Sequence, residues 1–121
     1  SYIEYYGLSE IAYATATVTG SAQVPDPITV SACSIGTGGA DAERYESMLM
    51  EVEDVTVTDE NPDDPDEFGE FEVEGCLRVD DFLYATPVSA LGTTWSSITA
   101  VLGYGFDNNK LLPRGSEDLL E

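Results

Sequence analysis

Histidine is absent from this chain of 121 residues, and only Arg44, Arg78, Lys110 and Arg114 carry positive charge. The first absence removes both the commonest general base and the commonest metal-ligating side chain. The second removes the basic footprint with which a protein grips phosphate by displacing counterions: 24 Asp and Glu leave a formal charge of -20. Long apolar runs are missing too. No stretch approaches the roughly 20 residues of a membrane-spanning helix, and the first residues lack the basic and apolar regions of a signal peptide. No Gly-x-Ser-x-Gly turn is present. Ser31, Ser34 and Ser97 therefore have neither an elbow nor a histidine to activate them, and a Ser-Lys dyad would rest on Lys110 alone. The chain reads as a protein without catalytic machinery, not inserted into a membrane, and monomeric.

What is present is a core. Hydrophobic residues make up 42% of the chain, with seven Tyr, four Phe and Trp95 among them, and this much apolar area separates it from acidic disordered tails. A mass of 13.0 kDa fits one domain over residues 1–121. Repulsion among the carboxylates opposes compaction at low salt, so salt or divalent cations are expected to stabilise the fold. An acidic surface poor in lysine suits an extracellular or cell-surface setting, where paired cysteines oxidise. Cys33 and Cys76 are accordingly expected to form a disulfide, two buried free thiols being the other reading. Closing a loop of roughly 44 residues would stabilise the fold by about 4 kcal/mol in the chain-entropy picture. Because Ser1 leads directly into the strand-like Tyr2-Ile3-Glu4-Tyr5-Tyr6, the segment is expected to be excised from a longer polypeptide.

Strand patterns dominate. Ile11 to Thr19 is rich in threonine and ends at Gly20, and Ile28 to Ile35 ends at Gly36-Thr37-Gly38-Gly39; both read as strands, separated by the loop Val24-Pro25-Asp26-Pro27. Ala40 to Glu46 carries the one helical signal, too short to stand alone. Met48 to Thr58 alternates most clearly. Its apolar parity changes between Val52 and Val55, which predicts a bulge or bend near Glu53-Asp54 of the kind that closes a barrel. Phe68 to Val73 and Cys76 to Tyr84 follow an acidic loop, and Trp95 to Phe106 runs to a turn at Asp107-Asn108-Asn109 before Lys110 to Pro113. About six strands and one short helix predict an all-β fold, a small antiparallel barrel of the OB-like kind, with a β-sandwich as runner-up. An immunoglobulin-like sandwich would place tryptophan between the cysteines, whereas Trp95 follows both.

Several segments in order, Glu4-Tyr5-Tyr6-Gly7-Leu8-Ser9-Glu10-Ile11, Val24-Pro25-Asp26-Pro27, Ala42-Glu43-Arg44-Tyr45-Glu46-Ser47-Met48-Leu49-Met50, Val55-Thr56-Val57-Thr58, Phe68-Gly69-Glu70-Phe71, Leu77-Arg78-Val79-Asp80-Asp81, Ser97-Ile98-Thr99-Ala100-Val101-Leu102 and Lys110-Leu111-Leu112-Pro113-Arg114, cover most of the chain. Together they resemble the OB-fold-like accessory domain of large secreted bacterial proteins, especially extracellular nucleases of the endonuclease/exonuclease/phosphatase type. Ser47 and Ala100 stand where that family usually has glycine. The resemblance implies a noncatalytic neighbour of a catalytic or surface-display domain, with nucleic acid as a presumed ligand.

Residues that could serve such a ligand are Arg78, Lys110 and Arg114 for phosphate, with Trp95 and Tyr104, and also Tyr5, Tyr6 and Tyr84, as stacking rings. The charge opposes it, and the plainer reading buries the rings and pairs the cations with carboxylates. The acidic loop offers a second site. Asp59, Asn61, Asp63, Glu67 and Glu70 fall at the ligand spacing of a calcium loop, but Asp64 replaces the required glycine and Pro62 and Pro65 stiffen the turn. A weak calcium site on Asp59, Asp63, Asp64 and Asp66 remains as the alternative to a solvated loop; no other cofactor is expected. Asp80 or Asp81 is expected to pair with Arg78, and the two are not expected to act as a catalytic carboxylate couple, since neighbours on a strand face opposite ways. Gly36-Thr37-Gly38-Gly39 lacks the lysine and long helix of a phosphate loop. The function expected is an accessory or scaffold module contacting neighbouring domains of its parent chain; the alternatives are a nucleic-acid-handling accessory of a nuclease and a calcium-stabilised adhesion module.

Overall fold

A computed structural model describes residues 1–87 and 89–121. Two long alternating segments set its frame. Strand β4 (Leu49–Asp59) buries Met50, Val52, Val55 and Val57, and β7 (Thr94–Gly105) buries Ile98, Ala100 and Leu102. They pair antiparallel from Leu49 opposite Val101 to Thr56 opposite Thr94. Strands β5 (Phe71–Val73), β6 (Leu77–Val79) and β8 (Asn108–Leu112) complete the ring, which runs β4–β5–β6–β8–β7 and returns to β4. Only the β6–β8 contact within that ring is parallel. The result is a small closed OB-like barrel. Phe71, Leu77, Leu111, Met50 and Ile98 fill it without solvent exposure, and each such side chain contributes about 1.5–3 kcal/mol by leaving water.

The parity change in β4 is built as expected. Val52 and Val55 are both buried, and Asp54 between them takes a left-handed conformation at φ 51. Register to β5 then shifts between Val57 and Asp59, so one strand serves β7 along most of its length and β5 at its end.

Other segments depart from their sequence patterns for identifiable reasons. The chain begins with a hairpin of β1 (Tyr2–Tyr5) and β2 (Leu8–Ile11), and residues 12–27 form no regular element. The strand expected over Ile11 to Thr19 is therefore absent. Its even-numbered row is Ala12, Ala14, Ala16 and Val18, too little apolar area to offset ordering the backbone. The strand expected over Ile28 to Ile35 shrinks to β3 (Ile28–Thr29), parallel to Met50–Glu51, and the chain then turns through α1 (Ala32–Ile35). A helical turn buries Ala32 and Ile35 on one face, whereas a strand would point them oppositely. With α2 (Ala42–Tyr45) inside the expected helical stretch, the described residues hold two short α-helices instead of one. Beyond β6 the strand expected to reach Tyr84 stops, because the Asp80 carboxylate accepts the Phe82 N–H at 2.9 Å and turns the chain. The last hairpin turns at Phe106-Asp107, φ 51 and 63, and not at Asp107-Asn108-Asn109. Leu102 opposite Leu111, both fully buried, fixes that register.

The Cys33–Cys76 disulfide ties α1 to the start of β6. Gly36, just past α1, lies so close to Cys76 that a Cβ would come within 2.0 Å of its carbonyl oxygen, so only glycine permits the approach. At the other end, β9 (Leu119–Leu120) pairs with β7 after a 3-10 turn at Ser116–Asp118. Asp118 clamps this closure. It is buried and accepts the Arg114 backbone N–H at 2.8 Å and guanidinium N–H groups at 2.9 and 2.6 Å. Those bonds hold its carboxyl below the usual carboxylate range against the opposing effect of burial. A depressed carboxyl stabilises fully above its ordinary pKa and ceases to as pH falls through the lowered value. Asp118→Ala should therefore cost about 1.5–3 kcal/mol at neutral pH, and the gap between variant and parent in urea melts should narrow on acidification. A gap that stays constant would contradict the clamp.

Candidate functional site

Arg78 on β6 and Lys110 on β8 stand side by side in parallel register. Arg78 donates to Asp63 at 2.8 and 3.0 Å and to Glu70 at 3.0 Å, while Lys110 pairs with Glu70 and, at 3.2 Å, with Asp80. Lys110 and Glu70 are both buried. Burial works against the Arg78 charge, but the bonds to Asp63 and Glu70 outweigh it and raise its pKa. Three carboxylates thus enclose two cations. A phosphate approaching this face meets negative oxygens first, and displacing them would strip buried charges of their partners.

The residues considered for nucleic acid are not all gathered into one surface. Lys110 and Tyr104 line a groove described below, and Arg78 lies on the strand beside Lys110. Trp95 is 8% exposed in the core, directly opposite Val55. Arg114 is engaged by Asp118. The remaining cation, Arg44, sits over the Tyr45 ring at 5.0 Å.

In the acidic loop, Asp59 accepts the Asn61 N–H at 3.0 Å, Asp63 is taken by Arg78, and Asp64 and Asp66 donate backbone N–H groups to Asn61 and Asp63 within turns. Among the described residues no three acidic side chains converge as a metal centre would require. Asp80 pairs with Lys110, and Asp81 packs its carboxylate against Gly69, so neither takes the Arg78 partnership expected of them. Arg78 is instead reached by the loop carboxylate of Asp63 and by Glu70, which precedes β5. The glycine-rich turn at residues 36–39 serves the fold: the Thr37 hydroxyl donates to Asn108 Oδ1 and accepts the Asn109 N–H, each at 3.1 Å.

A wider concavity lies elsewhere. The β1–β2 hairpin rests against β7, with Gly7 beneath the Tyr104 ring, where a Cβ would sit 2.8 Å from Cε1. The Ser9 N–H also donates to Glu46 Oε1 at 2.7 Å. Between this hairpin and the β7–β8 hairpin opens a groove of about 810 Å³, floored by Val101, Gly103 and Leu112. Its rim holds rings that water faces directly: Tyr6 is 84% exposed, Phe82 77% and Phe106 94%. Tyr5 meets Tyr6 edge-on at 4.7 Å, and the Lys110 ammonium lies 5.7 Å from the Phe106 ring centre. Glu10, Asp80 and Asp107 add carboxylates, and Lys110 is the one cation among the lining residues.

Tyr6 and Phe106 share a second property. Both occupy left-handed backbone at hairpin tips, φ 48 and 51, where Asn or Gly would be favoured over a bulky ring. Turn preference does not account for an aromatic residue at either tip. The sequence names Tyr5, Tyr6 and Tyr104 as possible stacking rings, but Phe106 reads only as the end of a strand and Phe82 as part of another. The usable signal was the pairing of an aromatic residue with Gly or Asp, Tyr6-Gly7 and Phe106-Asp107, at two turns. Compared with known proteins, this chain matches no family model, no curated protein and no solved structure.

Proposed function

We propose that this chain is a noncatalytic accessory or scaffold module of a secreted or surface bacterial protein, and that it docks a partner polypeptide in the aromatic groove. The observation that carries the reading is the exposure of Tyr6 and Phe106 in backbone conformations that disfavour them, on the rim of the groove. Strained, unburied rings are retained where recognition needs them. The Cys33–Cys76 disulfide supports an oxidising compartment, and no helix among the described residues is long and apolar enough to cross a membrane. The order of sequence segments resembling accessory domains of extracellular nucleases supports the bacterial, domain-attached setting. The lack of histidine and the pairing of Arg78, Lys110 and Arg114 with carboxylates support a role in binding instead of turnover.

The decisive variant is Tyr6→Asn/Phe106→Asn. Asn suits both turns, Tyr6 being followed by Gly7, so stability should rise by about 1 kcal/mol as left-handed strain is relieved. Recognition should fall at the same time. A random peptide library displayed on phage and selected on the parent protein should yield clones that fail to bind the double variant. If every clone binds parent and variant alike, the docking reading is wrong.

A further inference from the structure

Resting on that docking reading, we infer that the groove takes a basic polypeptide segment, one presenting Arg or Lys beside apolar side chains. Charge complementarity identifies the occupant. Among the charged groups lining the groove, Asp80 and Lys110 pair with each other and Glu70 adds a second carboxylate to Lys110, which leaves Glu10 and Asp107 facing the groove. The rims therefore offer carboxylates to an incoming cation and offer no free cation to an incoming anion. Behind them stands a net charge of -20, which raises the local concentration of cationic partners and speeds their encounter. A second copy of this chain carries the same charge and is repelled.

The rings complete the site. Tyr6, Phe82, Tyr104 and Phe106 present faces and edges around an apolar floor of Val101 and Leu112. The faces of Tyr and Phe attract ammonium and guanidinium groups, an interaction that strengthens as water is excluded. The buried Lys110 ammonium already lies 5.7 Å from the Phe106 ring centre. A volume of about 810 Å³ is within the range of sites that enclose most of a small ligand, enough to engage a short segment and not a folded face. Gly105 adds room: it lines the groove, and a Cβ placed on it meets no atom within 4 Å.

The test uses fluorescence anisotropy at physiological ionic strength, where the screening length is about 8 Å and diffuse attraction is weak. The probe is a short labelled peptide of alternating Arg and Leu, compared with Ser-Leu and Glu-Leu counterparts, an unlabelled neutral oligosaccharide and an oligothymidine strand as competitors. The Arg-Leu peptide should bind at least about tenfold more tightly than the Ser-Leu peptide, and Tyr6→Asn/Phe106→Asn, which leaves the net charge unchanged, should weaken it about tenfold. Gly105→Trp, which fills the groove, should do the same. If the Ser-Leu peptide binds as tightly and its binding still depends on Tyr6 and Phe106, the groove docks peptides but the basic occupant is wrong. Effective competition by the oligosaccharide or the oligothymidine strand would also overturn the inference. Equal binding of the Arg-Leu peptide to parent and both variants would reduce it to diffuse electrostatics.

Discussion

Replacing Cys33 and Cys76 together by serine should lower the unfolding free energy by about 4 kcal/mol, a large share of the 5–15 kcal/mol or so typical of a natural domain. The two residues are 43 apart in sequence, and their bond closes the loop that runs from within α1 through α2, β4 and β5. Cutting it frees the denatured chain to explore conformations that the bond forbids. In the folded state α1 is only one helical turn and anchors itself chiefly through Ala32 and Ile35, so an isolated turn of this length has no stability of its own. Replacing both cysteines leaves no lone thiol to complicate the comparison. Urea melts of parent and variant measure the difference, and hydrogen exchange should show the largest loss of protection at α1 and β3. A change under about 1 kcal/mol would mean that packing alone holds α1 in place.

The second large effect is expected at the ionic cluster. Lys110→Met should cost about 3–5 kcal/mol, because Glu70 and Asp80 lose a buried cation that they share. Glu70→Leu should also destabilise, since Lys110 keeps only Asp80 and Arg78 keeps only Asp63. The double replacement, Glu70→Leu/Lys110→Met, should be less damaging than Lys110→Met alone: it removes the pair and leaves apolar groups of similar bulk where the desolvation penalty was. A double-mutant cycle reads this coupling directly. Additive losses would show that Lys110 and Glu70 act separately, and would release Lys110 as a cation free to meet a ligand.

The cluster also shows where sequence reading reaches its limit. Alternation over Met48 to Thr58 and Trp95 to Phe106 made the two long barrel strands legible, and even the bend at Asp54 was written in the change of parity. The disulfide was one of two readings of the cysteine pair, favoured by the small acidic, lysine-poor chain, and the bond is present. By contrast, Asp63, Glu70, Arg78, Asp80 and Lys110 come from a loop, strand ends and two strands that meet only when the barrel closes, and no spacing along the chain encodes that meeting. The α1 turn was illegible for another reason: four residues are too few to tell a period of 3.6 from a period of 2. At Phe106-Asp107 local preference misled. Asp107-Asn108-Asn109 is a good turn sequence, but burial of Leu102 against Leu111 sets the register and forces the turn onto a phenylalanine. The groove went unread because its rim depends on that misplaced turn and on a hairpin whose position is fixed by a glycine beneath Tyr104.

The choice between the aromatic groove and the cation-bearing face of the barrel can be made in one experiment: amide chemical-shift mapping of the isotope-labelled protein during titration with the Arg-Leu peptide. Shifts concentrated at Tyr6, Gly103, Gly105 and Phe106, absent in Tyr6→Asn/Phe106→Asn, are the expected result. Shifts centred on Asp63, Glu72 and Arg78, or spread evenly over the acidic surface, would contradict it.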